Sequence, residues 1–190
     1  TAYQFSVTAE GDRRFDYIGE KCRELFGIDA KEIMADANKL FERVPEPDLS
    51  EVNHAIRESA QSLSRYQIDH RVVKPDGETI WVFASSIPRK MVNGDIIWDG
   101  IGLDITKRKH AEEDLRKSEE QFKFMFEKAP YAIALSDIDS GEIIDVNEMF
   151  CNKTDLKKES VIGRATTEMG FYSQEDRNRF VNQLTENGMV

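Results

Sequence analysis

The stretch RYQIDHRVVKPDGETIWVFASSIPRKMVNGDIIWDGIGLDITKRKHAEEDL, residues 65–115, decides the fold. It reads as three strands that run without a break into a charged helix. Tyr66, Ile68, His70 and Val72 share one face of the first strand, and Gln67, Asp69, Arg71 and Val73 share the other, as a two-residue period requires. KPDGE is a turn in which Pro75 sets φ and Gly77 is free to take a positive φ. TIWVFASSIPRK is the second strand. VNGD predicts a tight hairpin through Asn93 and Gly94, and IIWDGIGLDI is the third strand.

Upstream, residues 3–8 and 14–18 alternate as short strands joined through Gly11 and Asp12. A short helix over 20–26 ends at Gly27. Helical turns follow at 30–34 and 38–43, then a longer helix over 47–60 with Pro47 in its first turn. Val52, Ala55, Ile56 and Ser59 share one face of that helix. Five antiparallel strands and several short helices predict an α+β module. Its helices must cover one face of the sheet, because neither layer buries its apolar side alone.

The chain also repeats itself. At an offset of 128 residues, Tyr3, Phe5 and Val7 fall on Tyr131, Ile133 and Leu135. Phe15 and Ile18 fall on Ile143 and Val146; Cys22, Ile28 and Ile33 on Phe150, Leu156 and Val161; Asp48, Val52 and Ile56 on Asp176, Phe180 and Leu184. A constant offset predicts a second copy of the module beginning near residue 130. Residue 190 corresponds to residue 62, so the second copy is expected to lack the three strands of 65–105. Its helices, with Phe180 and Leu184, are then expected to present uncovered apolar faces.

Composition narrows the function. Of 190 residues, 39% are hydrophobic and 33% charged, which fits a globular chain. The net charge of −10 argues against nucleic acid and against an anionic membrane surface as partner. No apolar run reaches the length of a membrane span and no signal peptide is visible, so a cytoplasmic location is expected. The chain starts at a threonine and stops inside a pattern, which reads as a piece of a longer protein. Cys22 and Cys151 lie in amphipathic stretches without CxxC or histidine spacing, and are expected as buried, unpaired thiols. No nucleophile–base constellation and no metal cluster emerges, so the fragment is predicted to be non-catalytic.

KPDGETIWV, GLDIT and the following ITKRKHAEEDLRKSEEQFKFMFEKAP, in that order and spacing, resemble the tandem PAS sensor domains, with PAC motif, of bacterial signal-transduction proteins. The resemblance covers the whole chain. It implies a five-stranded sheet whose inner face, with the helices, encloses a core or small pocket, and an output helix that leaves the last strand. It further implies a downstream effector in the parent chain, a histidine kinase of a two-component system or a diguanylate cyclase. The resulting division is a complete PAS sensor module at 1–106, a linker or signalling helix at 107–129, and the N-terminal part of a second PAS module at 130–190. From strand parity and family position, the pocket walls are Phe41, Val44, Ile56, Tyr66, Ile68, His70, Trp81 and Phe83. Asp104, Ile105 and Thr106 are the signal-transmission junction, similar to the family's D-x-T exit. Asp104 is expected to pair with Arg71 or Lys74.

Residues 107–128 contain no Gly or Pro and are rich in helix formers. Thr106 is the expected N-cap and Pro130 the far boundary. Ala111, Leu115, Ser118, Phe122 and Met125 recur at spacings of four and three, which predicts a coiled-coil seam in a homodimer. The functional expectation is detection of a small-molecule ligand or a partner, passed along this helix. The alternative is a ligand-free dimerisation or interaction module with a filled core. No cofactor is named by the sequence. Haem is disfavoured because His54 lies away from the apolar face of its helix. Flavin adduct chemistry is disfavoured because Cys22 lies in the wrong helix for it, and His110 is expected to be solvent-exposed.

Overall fold

The computed structural model describes residues 1–187, which form two compact units that divide after Glu113. The first unit runs β1 (Ala2–Val7), β2 (Arg13–Ile18), α1 (Cys22–Phe26), α2 (Ala30–Ala35), α3 (Asn38–Phe41), α4 (Glu46–Ser62), β3 (Tyr66–Val73), β4 (Thr79–Lys90) and β5 (Ile96–Asp104). The strands make one antiparallel sheet in the order β2-β1-β5-β4-β3. The α+β fold expected from the sequence is the fold observed.

Local chemistry sets the elements. Gly27 closes α1 in the left-handed region, at φ 71°, and its N–H bonds Arg23 O. Asp29 caps α2 by accepting from Lys31 N. Pro47 sits in the first turn of α4, where no N–H is required. Val52, Ile56 and Ser59 of α4 are buried against the sheet, together with Phe5, Phe15 and Trp98 of the strands. The indole Nε1–H of Trp98 donates to Ser59 Oγ at 2.9 Å, and that hydroxyl donates to Ser64 O at 2.7 Å.

The VNGD hairpin differs from expectation. Met91 N bonds Asp95 O at 2.8 Å and Gly94 N bonds Met91 O at 3.0 Å, and only Gly94 takes a positive φ. This is a three-residue loop closed by a left-handed glycine, not a two-residue turn, which would need positive φ at Asn93 too. The same pattern closes Thr8–Asp12 with Gly11 and Lys74–Glu78 with Gly77.

Helix α5 (Thr106–Lys128) spans 23 residues, and its second half belongs to the second unit. That unit continues with β6 (Ala134–Ser136), β7 (Ile143–Val146), α6 (Glu148–Thr154), α7 (Lys158–Val161) and α8 (Gln174–Asn187). Its core is Ile143, Val146, Phe150 and Val161. From β7 onward the 128-residue offset holds: these four stand where Phe15, Ile18, Cys22 and Ile33 are buried in the first unit. Asp155, at φ 56°, ends α6 in the left-handed region as Gly27 ends α1.

The offset fails in the first strand. Ala134 faces Val146 as Tyr3 faces Ile18, and both strands have an irregularity one residue further on. The second hairpin is therefore three residues shorter, and Leu135 takes the place of Gln4 rather than of Val7. Tyr131, expected in the strand, precedes it and is exposed. A surface turn tolerates the deletion, and an odd number of residues reverses the faces of the strand before it. Among the described residues there is no counterpart of β3–β5. Phe180 on α8 is 48% exposed, whereas Val52, its counterpart on α4, is buried. No helix among the described residues is long and apolar enough to cross a membrane.

Candidate ligand cavity and helix junction

Strand pairing sets the inner face of the first sheet in rows. Tyr66, Ser86, Gly100 and Tyr3 lie side by side across β3, β4, β5 and β1. The next row is Ile68, Ala84 and Gly102, and the next is His70, Val82 and Asp104. The middle row is short of side chain at Ala84 and Gly102. Phe26, Leu40, Phe41, Val44, Val52 and Ile56 roof this floor, and a cavity of about 70 Å³ remains between the layers.

Its wall is mostly apolar. The polar groups stand in two places: the Tyr3, Tyr66 and Ser86 hydroxyls in one row, and the His70 imidazole two rows away. Burial raises both phenols, with Ser86 partly opposing this at Tyr3 by a hydrogen bond. His70 Nδ1 is buried and has no hydrogen-bond partner. Burial pulls the imidazole down to about 4, against the opposing pull of Asp48 and Asp69.

Of the walls expected from the sequence, Phe41, Val44, Ile56, Tyr66 and His70 line this cavity. Ile68 packs against the core beside it without lining it. Trp81 and Phe83 do not line it, and the expectation is corrected. The inward set on β4 is Ile80, Val82, Ala84 and Ser86, and the two aromatics lie on the other face. Both faces of β4 are apolar in sequence, so size favoured the wrong one. The decisive signal was Arg71, which pairs with Trp81 and marks the outer face. Tyr3, Phe5, Phe15, Ser86 and Trp98 were among the wall residues missed, as were the roof residues Phe26, Leu40 and Val52 and the floor at Ala84 and Gly102.

Trp81 instead belongs to a clasp on the outer face. Its ring carries the Arg71 guanidinium at 5.7 Å from the centroid and the Lys109 ammonium at 5.1 Å. Lys109 Nζ reaches Asp69 Oδ2 at 2.7 Å, and Arg108 reaches the same oxygen at 3.3 Å. Trp81 N–H donates to Thr106 Oγ1, and Ile105 N–H donates to Trp81 O, both at 2.9 Å. Thr106 is thus the first residue of α5 rather than its cap, with its hydroxyl turned to β4. Ile105 O accepts the first helical bond, from Lys109 N.

Asp104 also departs from expectation. Its carboxylate accepts from Thr106 N at 2.8 Å. Arg71 pairs with Asp48 of α4, through its backbone N–H at 2.8 Å and its guanidinium at 2.9 and 2.5 Å. Lys74 pairs with Glu78. Hydrogen bonding from Arg71 holds the Asp48 carboxyl below its ordinary value, more strongly than burial raises it. Three consecutive residues of β3 therefore do three things. Asp69 holds α5, His70 faces the cavity, and Arg71 holds α4.

Further along α5, Ala111, Leu115, Ser118, Phe122 and Met125 are all exposed. In the second unit, Phe126 is buried and stacks on Phe122 at 5.8 Å. Asn147, fully buried, saturates its amide there. Nδ2 donates to Phe126 O and Tyr131 O, and Oδ1 accepts from Ile133 N and Phe150 N, all at 2.9–3.0 Å. Cys22 is fully buried, with its thiol raised chiefly by burial. Cys151 is only half-buried, against expectation, because α6 leaves it at the rim of a smaller core. His54 and His110 are exposed.

The model of a family described as a PAS fold matches residues 15–101, and one described as a PAS domain matches residues 130–190. Among solved structures, that of a sensory box histidine kinase/response regulator from Burkholderia thailandensis E264 is similar over 64% of this chain and 90% of its own. It has 17% identity and a TM-score of 0.50. The N-terminal domain of a diguanylate cyclase with PAS/PAC sensor from Marinobacter aquaeolei covers 58% of this chain with 100% of its own, at 18% identity and TM-score 0.49. None of the curated proteins compared matches the chain.

Proposed function

The chain belongs to the PAS family of signal-sensing domains, and from that premise we propose that it is the cytoplasmic input segment of a bacterial signalling protein. In this reading residues 1–106 are the sensor module, 107–129 the signalling helix and 130–190 the start of a second module. A small molecule enters the cavity under α3 and α4. The Asp104-Ile105-Thr106 junction passes the change to α5, and α5 passes it to a histidine kinase or diguanylate cyclase effector elsewhere in the parent chain. Two copies pair through Ala111, Leu115, Ser118, Phe122 and Met125.

One observation carries the reading. The cavity residue His70 lies between Asp69, whose side chain grips α5, and Arg71, whose side chain grips Asp48 of α4, the helix that roofs the cavity. Strain at β3 therefore reaches two helices by direct bonds. A packed sheet edge with two discrete side-chain arrangements is the kind of element that a ligand biases. The small size of the cavity favours the second reading, a filled dimerisation or interaction module without ligand.

Native mass spectrometry of the purified chain separates the two. The sensor reading expects a dimer that retains, or takes up, one small molecule per chain. A dimer that carries nothing and takes up nothing leaves the interaction module. A monomer removes the seam.

A further inference from the structure

Resting on the sensor reading above, we propose that the cavity of the first unit takes a small uncharged molecule of a few non-hydrogen atoms, whose hydroxyl or amide group hydrogen-bonds His70 Nδ1. Three observations bear on this.

The first is size. A cavity of about 70 Å³ is roughly half of the one, about 150 Å³, that holds benzene in an apolar protein core. The open floor lies over Ala84 and Gly102, one row from His70. Strand residues two apart are separated by roughly 6.7 Å, so a molecule of three or four heavy atoms lying on that floor reaches the imidazole.

The second is charge. No Asp, Glu, Lys or Arg lines the cavity. The charged groups nearest His70 in sequence and packing are engaged elsewhere: Asp48 with Arg71, and Asp69 with Arg108 and Lys109. An ion that entered would lose its hydration and gain no counter-charge.

The third is the unmet bond. A buried polar atom without a partner is costly, and native structures rarely retain one. Nδ1 donates in one tautomer and accepts in the other. A hydroxyl or primary amide satisfies either, whereas a pure hydrocarbon satisfies neither. The hydroxyls of Tyr3, Tyr66 and Ser86 stand two rows off, on the far side of the apolar floor.

The test uses the whole 190-residue chain and three probes of one shape: propan-1-ol, propanoate and propylammonium. Binding is followed by the side-chain ¹⁵N signals of His70 and by the melting temperature. Propan-1-ol is expected to bind in the millimolar range, within what four non-hydrogen atoms can support. It should move the His70 signals, and the two ions should bind at least tenfold more weakly. Gly102→Ala adds a methyl whose neighbours, Leu25, Phe26 and Val82, lie at 3.7–3.9 Å, so the fold is kept. It should lower the affinity several-fold. Ala84→Leu should abolish binding.

Equal or tighter binding of either ion overturns the ligand class and leaves the sensor reading standing. So does propan-1-ol binding that neither moves His70 nor responds to Gly102→Ala. If no probe binds and native mass spectrometry shows no retained molecule, both readings fall. A retained molecule that blocks all three probes supports the proposal if it is neutral and of this size, and overturns it otherwise.

Discussion

His70 is held neutral in a place where its charged form is poorly solvated. Its folded value, about 4, lies below the ordinary 6.5. Between those values the unfolded chain binds the extra proton, so stability is complete above about pH 6.5 and falls as the pH drops toward 4. The loss should be on the order of 1–3 kcal/mol. Urea denaturation at pH 7 and pH 5 should show it, and His70→Gln should flatten the difference. A second residue-scale prediction concerns Ser59, which is buried and bonds both Trp98 Nε1 and Ser64 O. Ser59→Ala leaves the indole N–H without its partner and should cost about 1–3 kcal/mol in the same assay. Ser59 was legible as part of the apolar face of α4. Its bond to Trp98 was not, because that contact joins residues 39 positions apart. Trp81 illustrates the opposite difficulty. A bulky aromatic in a strand suggests the core, yet Trp81 carries two cations on the outer face.

At the scale of elements, α5 was the most legible piece, since helix formers without Gly or Pro fix its extent. The seam on it is a proposal that can be measured. Leu115 and Phe122 are 61% and 53% exposed in the single chain. Leu115→Glu or Phe122→Glu should shift sedimentation from dimer to monomer with little change in helical signal. The junction makes a separate prediction. One alanine inserted after Lys107 turns the rest of α5 by about 100°. Lys109 then leaves Trp81 and Asp69, while Thr106 keeps its bond to β4. Spin-label distances across paired α5 helices should change on ligand addition in the parent sequence and not in the insertion variant. The register of β6 was illegible for a simple reason. Alternation in a short strand shows which residues share a face, but not where a hairpin has lost residues.

At the scale of the whole molecule, the duplication was readable from apolar positions because burial is the same constraint in both copies. Phe15 and Ile143, or Ile33 and Val161, differ in identity and agree in burial. The two units should nonetheless differ in protection. In the first, β4 and β5 each have strand neighbours on both sides, whereas among the described residues β6 and β7 pair as strands with each other alone, with the segment 163–165 bonded beside the start of β7. Isolated two-stranded sheets are marginal. Hydrogen exchange should therefore be slowest in β4 and β5, and amides of β6 and β7 should exchange sooner at the same pH. Equal protection in both would point to a cover for α8 that the single chain does not provide.

Asn147 gives the duplicated plan a polarity. Its amide ties the last turn of α5 to the segment 131–133 and to the start of α6. The matching place in the first unit is Gly19, which has no side chain with which to take hold. A tug on the helix backbone at Phe126 thus has a side-chain handle in the downstream copy, whereas Gly19 holds the opening strand by backbone groups alone, its N–H donating to Ala2 O and its carbonyl accepting from Thr1 Oγ1.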